Sequence, residues 1–348
     1  MRTVIFPVRA TLLENLEDSY QQVRERYEVI SDYEISQFAA SGKRVIVNSL
    51  PVYHYVIGKD QLSAFLNDEN HEEEARLFSH YLTPKRRNAP PKLMGIVNAT
   101  PDSFYSGSRL SVNHMLLDSM LDAKPDIIDV GGESTRPGSL PVSPEIEQKR
   151  VKPVIDYISQ VSNIPISLDS RNWKTVEAFI DQISYINDIS GFTNERMITV
   201  ASRSGASCIV MHMVGTPQTM MHNTKYDFLE YEIIRFLLER ASVLERNGVS
   251  REKIILDPGI GFSKDSGENL RIIHNLNSFK VGFPLLVGTS RKSFIGRLTG
   301  KDPEQRLPGT IASALECARN GADILRVHDP LEIRDALLVQ HAILNYAD

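Results

Sequence analysis

Cysteine is almost absent from this chain. Cys208 and Cys317 are the only two in 348 residues, too few for a disulfide framework. The apolar runs around both predict buried, reduced thiols. Basic residues are in no excess: 39 Lys and Arg against 44 Asp and Glu leave a net charge of −5. No broad positive surface is therefore expected, and nucleic acid is excluded as a main partner. No run approaches the roughly 18 apolar residues of a membrane span. Met1 to Leu16 carries a charge or a proline every few residues, in place of the apolar region of a secretion signal. These absences predict a cytoplasmic protein without a membrane partner. What is left is an ordinary globular composition, 41% hydrophobic and 24% charged, on a chain long enough for a sizeable core.

The chain changes character near residues 83–92, Thr-Pro-Lys-Arg-Arg-Asn-Ala-Pro-Pro-Lys. Prolines and charges at that density suit an extended linker. Residues 1–82 then form a small α/β domain. Strands are expected at Thr3–Val8, Arg44–Val47 and Tyr53–Ile57, and helices at Leu12–Glu25 and Glu72–Tyr81. That domain shows no catalytic constellation. Residues 93–348 follow a different rhythm, with short β-branched apolar runs separated by helical spacing. The runs are Leu93–Asn98, Ile127–Val130, Ile166–Asp169, Tyr185–Ile189, Cys208–Met213, Ile254–Asp257, Leu285–Gly288 and Ile324–His328. Helices are expected at Lys174–Ile180, Tyr226–Asn247, Gly309–Asn320 and Glu332–Ala347. Eight continuous apolar strands alternating with helices predict an α/β fold with a parallel sheet closed into a (β/α)₈ TIM barrel.

The polar residues of this half sit where the runs end: Asn98, Asp129, Asp169, Asn187 with Asp188, His212, Asp257, Ser290, and Arg326 with His328. In such a barrel the strand ends share one rim, where active sites lie. Any one of these residues could instead cap the following helix. Eight together favour a site, because a buried polar group without a partner costs roughly 1–3 kcal/mol.

Three chemistries are on offer. Arg136, in Glu133-Ser-Thr-Arg-Pro-Gly138, joins Arg326 and His328 as a cluster suited to a phosphate or pyrophosphate. A salt bridge from Arg326 to Asp323 or Asp329 is the competing reading. Asp169, Asn187 and Asp257 can face the N–H and amino groups of a heterocycle, with Lys292 donating to a ring carbonyl or nitrogen. Asn98 offers an oxygen ligand to a Mg²⁺ that draws most of its shell from phosphate and water. No zinc-type His or Cys pair, phosphate loop or nucleophile elbow is present. His212, within Met-His-Met, reads as a packed histidine.

Taken in order, these segments resemble dihydropteroate synthase. The resemblance is carried by Gly95-Ile-Val-Asn-Ala-Thr-Pro-Asp-Ser-Phe104, Asp129-Val-Gly-Gly-Glu-Ser-Thr-Arg-Pro-Gly138, Ser167-Leu-Asp-Ser170 and Ile186-Asn-Asp-Ile189. It continues through Met211-His-Met-Val-Gly-Thr-Pro217, Asp257-Pro-Gly-Ile-Gly-Phe-Ser-Lys264, Gly288-Thr-Ser-Arg-Lys-Ser-Phe-Ile-Gly296 and Arg326-Val-His-Asp329. It implies condensation of 6-hydroxymethyl-7,8-dihydropterin pyrophosphate with p-aminobenzoate in folate synthesis. By match to the family's motifs, Asp169, Asn187, Met211, Asp257 and Lys292 would hold the pterin. Asn98, Arg136, Arg326 and His328 would hold the pyrophosphate with Mg²⁺, and Thr135, Pro137, Phe262 and Ser290 would shape the p-aminobenzoate pocket. Asp169, Asp257, Lys292, Arg326 and His328 would carry the catalysis. A homodimer sensitive to sulfonamides is also implied.

Two features depart from the family. The first loop reads Ser103-Phe-Tyr-Ser-Gly-Ser108, so Ser106 stands where the family has an Asp that orders the loop and supports the cation. The first ninety residues lie outside the resemblance and lack the motifs of the pyrophosphokinase sometimes fused to this enzyme. A pterin-binding methyltransferase module and a non-catalytic pterin-binding paralogue are the alternatives; turnover of the pyrophosphate substrate separates both from the main reading.

Overall fold

The computed structural model describes residues 3–7, 26–47, 50–78, 89–99, 110–135, 138–222 and 225–346. The expected helix Leu12–Glu25, and the loop that holds Ser106, lie outside them. The chain divides into two units by contact. One comprises Met1–Arg86, Tyr226–Arg235 and Asn275–Gly282, and the other Arg87–Lys225, Phe236–His274 and Phe283–Asp348.

The small unit is built on an antiparallel sheet of β1 (Thr3–Pro7), β2 (Arg26–Ser31), β3 (Gly42–Val47) and β4 (Leu50–Gly58), in the order β1-β2-β4-β3. Helices Lys59–Leu66 and Glu72–Phe78 follow the sheet in the chain, and Tyr226–Arg235 and Asn275–Gly282 join the same unit. Helix Lys59–Leu66 buries Leu62, Phe65 and Leu66, one apolar stripe at helical spacing. Phe38 packs edge-on to Tyr55, with ring centroids 5.6 Å apart, and against Phe65 at 5.2 Å. The Tyr55 hydroxyl accepts a 2.7 Å hydrogen bond from the Ile35 N–H, so this buried ring keeps its polar end satisfied. Strand β2 and helix Lys59–Leu66 are absent from the sequence expectation. Strand β2 escapes because Glu28 reads as a solvent residue, yet it is buried 3.6 Å from His54 Nε2 on β4.

The other unit is the expected barrel. Its strands are β5 (Lys92–Asn98), β6 (Ile127–Gly131), β7 (Ile166–Asp169), β8 (Tyr185–Asp188), β9 (Ser207–Met211), β10 (Ile254–Asp257), β11 (Leu286–Val287) and β12 (Ile324–Val327). All are parallel, in the order β10-β9-β8-β7-β6-β5-β12-β11. A parallel bridge between Leu256 and Leu285 closes the circle, with the Leu256 N–H donating to the Pro284 carbonyl at 2.9 Å. Met94, Ile127, Ile209, Ile255, Leu286 and Ile324 form one buried apolar cluster from six of the strands, a filled interior with no open pore. No helix among the described residues is long and apolar enough to cross a membrane.

Three strand expectations are corrected. Asp129 is in the middle of β6, not at its end. Strand β9 stops at Met211 and β12 at Val327, so His212 and His328 belong to the loops that follow.

Candidate active site

Periodicity two in a strand aims alternate residues the same way. On β12, Ile324 therefore joins the apolar layer and Arg326, two residues on, enters the mouth. The same alternation pairs Ile255 with Asp257 on β10 and Ile209 with Met211 on β9. A cleft results, lined by Thr135, Asp169, Asn187, Ile189, Met211, Asp257, Ile260, Phe262, Gly288, Lys292 and Arg326.

Arg326 organises the charges. Its Nε donates to Asp129 Oδ2 at 2.6 Å and its Nη2 to Asp169 Oδ2 at 2.7 Å. The competing salt bridge to Asp323 or Asp329 does not form: Asp329 is held by Arg291 at 2.5 and 3.2 Å, and Asp323 accepts from the Leu285 N–H. Asn187 Nδ2 reaches the same Asp129 oxygen at 3.2 Å, while Asp129 Oδ1 is buried without a hydrogen-bond partner. Asp129 thus orients two of the expected site residues, a role missed in the sequence because its place within the strand hides it.

Burial sets the protonation of the slot. It pushes the Asp169 carboxyl up, reinforced by Asp129 and opposed by Arg326. It raises Asp257 to about 6, although the Gly259 N–H and the Lys292 charge pull the other way. It lowers Lys292 to about 8, helped by repulsion from Arg326. The Lys292 ammonium also sits 4.3 Å from the Phe262 ring centroid, a cation–π contact. Burial thus brings these groups toward neutral pH, a pattern that marks a candidate functional site.

Eight expected residues meet in this cavity: Asp169, Asn187, Met211, Asp257, Lys292, Arg326, Thr135 and Phe262. Asn98, Ser290 and His328 do not line it. Asn98 is exposed at the end of β5. His328 donates its backbone N–H to Ser290 Oγ at 3.2 Å, and its Nδ1 lies 3.0 Å from the same oxygen. The hydroxyl proton can then go to Nδ1, leaving the other ring nitrogen protonated. Burial and the neighbouring Arg326 lower His328 to about 4, so the ring is neutral. Arg136 and Pro137 lie outside the described residues. Ile189, Ile260 and Gly288 line the cavity without having been anticipated, since apolar side chains and glycine carry no chemical signal.

The capping alternative fails for most of the strand ends. Ser143 and Asn194 cap the helices that begin at Pro144 and Glu195. Asp188 alone is fully spent on its own turn, accepting from the Ser190 N–H, the Ser190 hydroxyl and the Phe192 N–H. Among the described residues no group of three or more His, Cys, Asp or Glu is placed to hold a metal ion.

A closed parallel barrel with a buried, charged cavity at the C-terminal ends of its strands defines a (β/α)₈ enzyme of small polar substrates. Residues 94–328 match the family described as pterin binding enzyme. Dihydropteroate synthase of Escherichia coli K12 is 40% identical over 263 residues, covering 73% of this chain and 92% of that protein. Solved structures agree. The Yersinia pestis dihydropteroate synthase in a sulfonamide drug complex superposes with a TM-score of 0.70 at 34% identity, covering 75% of this chain and 99% of that one. The Xanthomonas albilineans enzyme with 4-aminobenzoic acid does so at 0.70 and 34%, covering 74% and 94%. The chain belongs to the dihydropteroate synthase family of pterin-binding enzymes, transferases of an alkyl group other than methyl.

Proposed function

We propose that this chain joins 6-hydroxymethyl-7,8-dihydropterin pyrophosphate to p-aminobenzoate, giving 7,8-dihydropteroate and pyrophosphate, with each half of the reaction assigned to named residues. The observation that carries the assignment is the meeting of Asp169, Asn187, Asp257, Lys292 and Arg326 in one cavity. Asp169 and Asp257 accept from the ring N–H and amino groups, Asn187 both donates and accepts, Lys292 donates to the ring, and Met211 packs against it. Arg326 keeps donors of its fork beyond the two given to Asp129 and Asp169. With Arg136, Asn98 and His328 it takes the pyrophosphate. Thr135, Pro137, Phe262 and Ser290 border the p-aminobenzoate, and the 4-aminobenzoic acid and sulfonamide carried by relatives support sulfonamide competition at that face.

The bond from the pterin methylene carbon to the bridging oxygen breaks first, its electron pair leaving with pyrophosphate. Asp169 and Asp257 stabilise the cation that develops. The amine lone pair of p-aminobenzoate forms the new C–N bond and its proton passes to solvent, so no protein nucleophile is needed. The single amide oxygen of Asn98 fits Mg²⁺, an ion that takes the rest of its shell from phosphate and water. Bound there, Mg²⁺ would supply positive charge to the departing pyrophosphate.

The enzyme is further proposed to be a cytoplasmic homodimer. Its two free, buried cysteines support a reducing compartment. Leu331, Leu338, Val339 and Ile343, all more than half exposed on helix Pro330–Leu344, support a self-contact. A pyrophosphate-release assay tests the reaction. Release dependent on p-aminobenzoate, with dihydropteroate as product, is expected; absent or amine-independent release contradicts it.

A further inference from the structure

Two sequence features stay unused by this mechanism: the histidine of Met-His-Met and the lysine that ends Asp257-Pro-Gly-Ile-Gly-Phe-Ser-Lys264. The fold brings them together. Lys264 is 2% exposed, and its Nζ lies 3.1 Å from the Gly259 carbonyl, 3.0 Å from the Phe262 carbonyl and 3.4 Å from the His212 carbonyl. The His212 ring supplies a fourth acceptor, Nδ1 at 3.1 Å. No carboxylate is among these partners. Burial lowers Lys264 to about 7, with the Asp257 charge opposing, and the amine keeps at least two donors for these acceptors, so backbone and the His212 ring stand in for water.

The loop it holds is tightly seated. Gly259 has φ +71°, and a Cβ there would come 2.1 Å from the His212 carbonyl oxygen, so only glycine lets the loop pass over the end of β9. Asn269 reinforces the seat, accepting from the Gly261 N–H at 2.6 Å and donating to the Lys264 carbonyl at 3.2 Å. From the other side of this loop, Ile260 and Phe262 line the cavity. His212 is neutral, its pKa lowered first by burial and then by the Lys264 charge. Its ring makes a perpendicular contact with Phe236 at 5.1 Å, so the imidazole is held by that ring and, at Nδ1, by Lys264.

We propose that Lys264 is a positioning residue, whose buried Nζ ties the 259 and 262 carbonyls to His212 and thereby sets the Phe262 ring against which p-aminobenzoate binds. The effect on p-aminobenzoate rests on the proposed function; the clamp itself does not. Lys264 touches no substrate. Its influence runs through Phe262, whereas Asp169, Asn187 and Lys292 are delivered to the pterin by other elements.

Two variants of the full chain test this: Lys264→Met, which keeps the stem and removes all donors, and Lys264→Gln, which keeps a two-donor head. Hydrogen exchange reads the clamp without turnover. The amides of residues 259–263 should exchange at least about tenfold faster in either variant, with β7 and β8 unchanged. In steady-state kinetics the KM for p-aminobenzoate should rise roughly tenfold in Lys264→Met and about threefold in Lys264→Gln, while the calorimetric Kd for 6-hydroxymethyl-7,8-dihydropterin moves less than about twofold. If Lys264→Met does not fold, Lys264→Gln carries both measurements. Unchanged loop exchange overturns the clamp. Equal losses for p-aminobenzoate and pterin reduce Lys264 to general stability and overturn the positioning role. A wild-type chain that releases no pyrophosphate defeats the proposed function alone, because the exchange measurement still decides the clamp.

Discussion

The small unit and the barrel hide charge in different ways. In the small unit the described residues bury two acidic side chains, Glu28 beside His54 at 3.6 Å and Glu230, which accepts from Asn275 Nδ2 at 2.9 Å, each set apart within a core made mostly of aliphatic and aromatic groups. In the barrel, Asp129, Asp169, Asp257 and Lys264 are buried around the partly exposed Lys292 and Arg326. Burying charges costs several kcal/mol per ion before pairing offsets it, so stability gives no reason to gather so many. The contrast recurs within the barrel. Asp188 receives three donors and completes a turn. Asp129 keeps an oxygen without a partner, and Asp257 accepts one backbone N–H, at 2.8 Å. Asp188, with its bonds complete, shapes the fold; Asp129 orients Arg326 and Asn187 from behind the cavity, and Asp257, which lines it, has acceptor capacity left for a ligand.

The strongest way to break this comparison is to remove its central cation. Arg326→Met leaves Asp129 and Asp169 facing each other without a counter-charge, and should destabilise the barrel by about 3 kcal/mol, the low end for a buried pair because Arg326 is partly exposed. Urea unfolding measures it. A carboxyl whose folded pKa is raised holds its proton more tightly folded than unfolded, so part of this loss should return on acidification toward about pH 5. A loss that does not depend on pH would mean that the two carboxylates are not the cause.

Asp257→Asn comes next. It turns a paired acceptor into a donor facing ring donors, a mismatch of about 2–4 kcal/mol in a buried slot. Pterin affinity by calorimetry should fall roughly 30-fold or more, and a loss under about threefold would count against the slot.

Deleting residues 1–86 sharpens the comparison from the other side. Segments 226–235 and 275–282 belong to the small unit and bury Tyr231, Ile233, Leu276 and Phe279. The deletion should lower Tm by roughly 5–10 °C, while pterin affinity of the folded protein stays within about threefold. A soluble truncation that no longer binds pterin would give the small unit a part in the site.

The same two regions differ in how openly the sequence displays them. Barrel strands such as Ile166–Asp169 and Ile254–Asp257 are covered on both faces and read as short, largely apolar runs ending in one acid, with the same bounds in the structure. The site followed, since polar residues at those ends have nowhere to point but the mouth. What stayed hidden needed three dimensions. Asp129 is inside its strand, Lys264 looks like a surface lysine, and Gly288 has no side chain to signal. In the small unit, β2 alternates charge with apolar residues, and only its pairing with β4 tells that Glu28 faces inward. Antiparallel strands in a thin unit carry a weaker pattern than strands at the centre of a barrel.

The measurement that meets the central claim most directly is the pH dependence of pterin affinity. Asp257, raised to about 6, must be ionised to accept from the ring, and Lys292, lowered to about 8, is charged only below that pH. Affinity should therefore be greatest between those values. It should weaken below about pH 6 by up to tenfold per unit as Asp257 takes a proton, and more gently above about pH 8 as Lys292 loses one. The Asp257→Asn variant should lose the part of the acid limb that Asp257 contributes near pH 6, keeping the part due to Asp169, whose carboxyl burial also raises, and the alkaline limb. Affinity that is flat from about pH 5 to 9, or an acid limb left unchanged by Asp257→Asn, would contradict the account of a slot whose incomplete buried charges are held for the pterin.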